Sequence, residues 1–126
     1  MLSEHRLVAF LGTADAAAAR AFYEGVQGLT LAGDHEHLML FDAGPARIAL
    51  QKDPRITPKG GTSVGWNVPD VRAQVRDLMA RGVVFDRYDG MQQDDLAIWS
   101  PVAGEGVAWF KDPDGKLLPV NGPLGG

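Results

Sequence analysis

Trp109-Phe110-Lys111-Asp112-Pro113-Asp114-Gly115-Lys116-Leu117-Leu118-Pro119-Val120 is the stretch on which the fold turns. An apolar run enters a Pro-Asp-Gly corner and a second apolar run leaves it. Pro113 presets φ at the first corner, and Gly115 supplies the positive φ that a side chain resists. The pattern is that of a β-hairpin. Pro119 is its odd member. Proline has no N–H for a central ladder, so the outgoing strand is expected to lose pairing there or to lie at an edge.

Working outward from the hairpin, strand-like runs and capped helices alternate along the chain. Leu7 to Thr13 is short and apolar, as a buried strand requires. Asp15 is placed to cap a helix over Ala16–Val26, whose Ala18, Phe22 and Val26 share one face, and Gly28 is placed to end it. Leu29 to Ala32, His37 to Asp42 and Arg47 to Gln51 read as strands. Turns are expected at Gly33-Asp34 and at Ala43-Gly44-Pro45. The order then repeats. A strand over Thr62–Val68 leads to a cap at Asp70 and a helix over Val71–Arg81, with Val71, Val75, Leu78 and Met79 as its apolar stripe and Gly82 ending it. Strands over Val83–Tyr88 and Leu96–Trp99 precede the hairpin.

The expected architecture is therefore α+β, with two β-α-β-β-β modules forming a curled mixed sheet around a cup. Module one covers about 5–52 and module two about 62–121, in a single domain. Residues 53–61, rich in Pro and Gly, are expected to link them.

Bulk chemistry narrows the partners. The chain has 126 residues, 45% of them hydrophobic and 22% charged, which suits a domain with its own core. It contains no cysteine, so disulfides, thiolate zinc sites and a cysteine nucleophile are excluded. A net charge of −4 argues against nucleic acid or an anionic membrane as partner. No apolar run approaches the ~20 residues of a spanning helix, and no signal-like stretch follows the N-terminus. A cytoplasmic protein is expected.

Several pieces of the sequence together resemble the vicinal oxygen chelate superfamily, the glyoxalase, bleomycin-resistance and ring-cleaving dioxygenase group. They are Thr13-Ala14-Asp15, Ala21-Phe22-Tyr23-Glu24 with Gly28-Leu29, Val68-Pro69-Asp70-Val71, and Phe110-Lys111-Asp112-Pro113-Asp114-Gly115. The resemblance implies a homodimer. It also implies a divalent metal held in the cup by His, Glu or Gln from several strands, acting as a Lewis acid. The matching positions here are Val8, Ser63, Pro119 and either Leu50 or Gln51. Val and Pro offer no lone pair. Ser63 and Gln51 leave fewer than the three protein ligands of an ordinary catalytic site. No metal and no cofactor is expected.

Other candidates are few. His35 and His37 share a face if extended, a spacing zinc can use, but they follow a turn and lack a third ligand. The acidic stretch Asp89 to Asp95 falls where a lid over the cup would be, and its Asp94 and Asp95 could attract a cationic ligand; the alternative is a plain solvated loop. Residues in phase with Val8 and Pro119 should line the cup; by that parity Trp66 points to a helix, whereas Trp99 and Trp109 cannot be phased. The expected ligand-binding residues are Phe10, Gln51, Ser63, Asn67, Trp99, Trp109 and Pro119. Such a set, aromatic with sparse polar handles, suits a small hydrophobic or aromatic molecule. The preferred function is metal-independent binding of that molecule. Alternatives are a glyoxalase- or dioxygenase-like enzyme with a non-standard site, and a partner-binding module with a collapsed cup.

Overall fold

A computed structural model of the chain describes residues 1–55 and 63–125. The chain divides into two compact units, Met1–Pro58 and Lys59–Gly126. Most of the expected linker, 56–61, lies outside the described residues.

In the first unit β1 (Val8–Thr13) leads to α1 (Ala16–Arg20), followed by β2 (Thr30–Asp34), β3 (Leu38–Ala43) and β4 (Ala46–Lys52). The Asp15 carboxylate accepts from Ala18 N–H at 3.1 Å, as its capping position requires. The helix departs from expectation at Ala21. Ala21–Val26 widens into a π turn, in which Gln27 N–H donates to Phe22 C=O. The wide turn carries Tyr23, fully buried against Phe41 with ring centroids 5.8 Å apart. Gly28, at φ +73, then closes the segment.

The four strands run in the order β1-β4-β3-β2, with β1 parallel to β4 and the others antiparallel. Register partners share a face, so Ile48, Leu50, Met39, Phe41 and Thr13 lie together on the buried face. Val8, Phe10, Ala49 and Gln51 lie on the other. Gly33-Asp34, expected as a turn, belongs to β2, which carries an irregularity between Leu31 and Gly33. The turn sits one step later because Asp34 is held in the strand by Lys52 Nζ at 2.7 Å, and His35 N–H donates to Leu38 C=O at 2.8 Å.

The second unit contains β5 (Trp66–Asn67), α2 (Val71–Ala80), β6 (Glu105–Lys111) and β7 (Leu117–Pro123). Asp70 caps α2 through Ala73 N–H at 3.1 Å. Val71, Val75 and Leu78 bury the helix against β6 and β7, where Ala108, Phe110, Leu118 and Val120 form the facing layer. Trp66 pairs with Val120 and so lies on the helix side, as its parity implies.

The hairpin forms as its turn chemistry requires, with Gly115 at φ +83. Its pivot is Asp112, whose Oδ1 accepts from Asp114 N–H at 3.0 Å and Lys116 N–H at 2.8 Å. β7 is not an edge strand; the sheet order is β5-β7-β6. Proline is tolerated there for a specific reason. Asp112 N–H bonds Lys116 C=O, so alternation along the hairpin makes Trp109 and Pro119 a pair without mutual hydrogen bonds. The proline nitrogen therefore points toward β5, and β5 begins only at Trp66, one residue beyond.

Three expected strands shrink accordingly. Thr62–Val68 reduces to Trp66–Asn67 among the described residues, because Gly65 sits against Pro119 instead of pairing with it. Val83–Tyr88 leaves one bridge, Phe85 with Phe110. Leu96–Trp99 leaves only the bridges of Trp99 to Gln93 and Val107. There the Asp94 carboxylate gathers the N–H groups of Leu96 and Ile98 at 2.9 Å each, and Ala97 takes φ 61, which no strand allows.

Candidate functional site

Face parity assembles the site from the hairpin outward. Trp109 pairs with Pro119, Val107 with Asn121 and with Trp99, and Asn121 with Asn67. All therefore lie on the face of the second sheet opposite α2. Trp99 stacks on Trp109 with centroids 6.1 Å apart and planes 29° apart. Tyr88 meets Trp109 edge-on at 5.7 Å and 86°. The three rings make an aromatic corner, and a pocket of about 400 Å³ opens beside it, lined by Tyr88, Asp89, Gly90, Met91, Gln92 and Trp99.

One ion pair stands beside this corner. Lys111 Nζ meets the Asp86 carboxylate at 2.9 Å, and the Tyr88 hydroxyl donates to the same group at 3.4 Å. Burial, then the negative Asp86, push the Tyr88 phenol above its ordinary value, so it stays a neutral donor. Asp94 is committed to its own loop through Leu96 and Ile98, which gives its carboxylate a structural task.

Of the seven expected binding residues, Trp99, Trp109, Pro119 and Asn67 come to one face of the second unit. Ser63 is exposed beside it, outside the strand, its N–H donating to Leu117 C=O at 3.0 Å. Phe10 and Gln51 belong to the first unit. They share the open face of its sheet, where Phe10 is 78% exposed. Tyr88 lines the pocket without having been expected there from sequence, and Met91 and Gln92 reach it from the acidic stretch Asp89 to Asp95. The signal available was the Tyr-Asp-Gly-Met run at the start of the acidic loop.

The positions matched to metal ligands do not fit a divalent cation. Val8 has no donor atom, and Leu50 is fully buried on the helix-facing side. The Pro119 ring is pressed against Gly65. Gln51 and Ser63 carry only neutral oxygens, in different units. Among the described residues no three His, Asp or Glu side chains gather as a metal site would need. His37 is exposed, 3.9 Å from an equally exposed Glu36, and the His35 ring lies over Gly33.

The arrangement agrees with what known proteins show of the fold. A glyoxalase/bleomycin resistance protein/dioxygenase from Alicyclobacillus acidocaldarius superposes with a TM-score of 0.70 at 15% identity, covering 96% of this chain and 92% of that one. TnmS3, an antibiotic binding protein from Streptomyces sp. CB03234, also superposes with a TM-score of 0.70, at 23% identity over 94% of this chain and 95% of its own. By sequence, 86 residues, 65% of this chain, are 33% identical to a glutamyl-tRNA(Gln) amidotransferase component from Rhizobium meliloti (strain 1021). The chain spans only 17% of that protein's length, so amidotransfer does not follow from the match. The superfamily's sequence profile matches residues 5–119. The chain belongs to the Glyoxalase/Bleomycin resistance protein/Dioxygenase superfamily.

Proposed function

We propose that the chain binds a flat, apolar small molecule against Trp99 and Trp109, without a metal. One observation carries the reading: Trp99 both lines the pocket and stacks on a second indole. Stacked indoles offer a rigid, flat, weakly hydrated surface, and a planar ligand laid on it removes apolar area from water at little conformational cost. The lining sets the apolar surfaces of Tyr88, Met91 and Trp99 beside the polar side chains of Asp89 and Gln92, and small-molecule sites likewise combine apolar walls with polar groups that orient the ligand. The antibiotic binding protein TnmS3 supplies a precedent for binding on this fold. A glyoxalase-like or dioxygenase-like reaction has less support, because Val8, Ser63 and Pro119 do not supply the donors its metal would need.

The test uses menadione, a neutral planar quinone that quenches indole fluorescence, on chelator-treated protein. Saturable quenching at one equivalent, with the non-planar ketone camphor much weaker, is the expected result. Binding that appears only after Ni, Zn, Mn or Fe is added overturns the reading.

A further inference from the structure

Gln93 lies in a loop that reads as acidic and solvated, yet its side chain ends in three backbone hydrogen bonds. Its Oε1 accepts from Tyr88 N–H at 2.8 Å. Its Nε2 donates to Asp86 C=O at 3.0 Å and to Ala97 C=O at 2.8 Å. One side-chain amide thus ties together the two chain segments that carry the pocket's walls. Tyr88 stands on one segment, and Trp99 follows Ala97 closely on the other. A glutamine is suited to this task because one acceptor and two donors sit at the end of a side chain long enough to span the gap.

The segment that Gln93 ties at Ala97 is itself strained. Ala97 is 3% exposed and held at φ 61, a left-handed conformation that costs an ordinary residue about 1–2 kcal/mol. It persists because its surroundings over-determine it. Asp94 holds the residues on either side, and Ala97 N–H donates to Asp94 C=O at 3.0 Å. Two residues beyond Ala97, Trp99 exchanges backbone bonds with Val107, at 2.9 and 2.8 Å.

We propose that Gln93 is the positioning residue of the aromatic pocket. It sets Tyr88 and Trp99 at a fixed spacing, so the pocket exists before any ligand arrives. The inference rests on reading the pocket as a ligand site, but its geometric part stands on the free protein.

The experiment uses the indole stack as reporter, since coupled indoles give an exciton couplet in circular dichroism. Gln93→Met keeps the side-chain length and removes all three bonds. Gln93→Glu keeps the acceptor for Tyr88 and sets an oxygen against the two carbonyls. Each variant is expected to unfold cooperatively, to lose the couplet, and to bind menadione about tenfold more weakly. A purely structural role would lower the melting temperature and leave the couplet and the affinity of the folded protein unchanged. Either folded variant with wild-type couplet and affinity overturns the proposal. If both variants fail to fold, amide exchange in the wild type decides: Tyr88 N–H protected well beyond Asp89 supports the latch, and equal exchange overturns it. A wild type with the couplet but no menadione binding overturns the ligand reading, and the variants' couplets still judge Gln93.

Discussion

Trp109 stands opposite Pro119 in an unbonded pair of β6 and β7, its indole on the same face as the proline ring. The resemblance to the superfamily implies a metal-ligating His, Glu or Gln at the Pro119 position. Here that position is an apolar backing for an aromatic corner. The proline nitrogen points away from β6, so the hairpin keeps its ladder. The cost falls on β5, which shortens and lets Gly65 pack against the ring.

That contact is close enough to test. A Cβ on Gly65 would come within 2.5 Å of both Cγ and the carbonyl oxygen of Pro119, atoms with little freedom to move. Gly65→Ala is expected to cost about 1–3 kcal/mol in urea unfolding. Gly33→Ala is the control. Its Cβ would meet the exposed His35 ring at 2.8 Å, and that ring can swing away. A cost under about 0.5 kcal/mol is expected there.

Asp94 separates a structural from an electrostatic role for the acidic loop. Asp94→Ala removes the acceptor for two N–H groups and should cost about 1–2 kcal/mol. Asp94→Asn keeps an oxygen in place and loses only the charge. Its stability and its menadione affinity are both expected to match wild type. Weakened binding by Asp94→Asn alone would show that the charge serves the ligand.

In the first unit, the hydrogen bond from Lys52 holds the Asp34 carboxyl below the usual carboxylate range, against a smaller opposing effect of burial. The charges of Lys52, Arg20 and His35 act in the same direction as that bond. A depressed folded pKa adds stability above the unfolded value, about 3.9. That stability is lost as pH falls through the lower folded value. The stability difference between wild type and Asp34→Asn should be level near neutrality and shrink below about pH 4. Added salt should reduce it, since the pair is exposed. A difference independent of pH would contradict the assignment.

Much of the fold was legible in residues whose chemistry is local. Asp15 and Asp70 cap helices, Gly28 and Gly82 take the positive φ that ends them, and Pro113-Asp114-Gly115 turns the hairpin. Strand alternation placed Trp66 on the helix side. What local reading missed depends on distant partners. The π turn at Ala21–Val26 answers to burial of Tyr23 against Phe41, well along the chain. Strand propensity in Leu96–Trp99 lost to the Asp94 carboxylate and the turn of Ala97. That irregular turn, with the loop before β6, is why Trp99 and Trp109 could not be phased. Gln93 had no motif to mark it; only the folded loop brings its amide to the backbone of Tyr88, Asp86 and Ala97.

The most direct measurement is the menadione dissociation constant of chelator-treated wild type beside Trp99→Ala, with Phe10→Ala as the variant on the other unit. Stacking against an aromatic side chain contributes about 1–3 kcal/mol, so Trp99→Ala should weaken binding by about fivefold to 150-fold. Phe10→Ala should leave it unchanged. Wild-type affinity in Trp99→Ala would contradict the account.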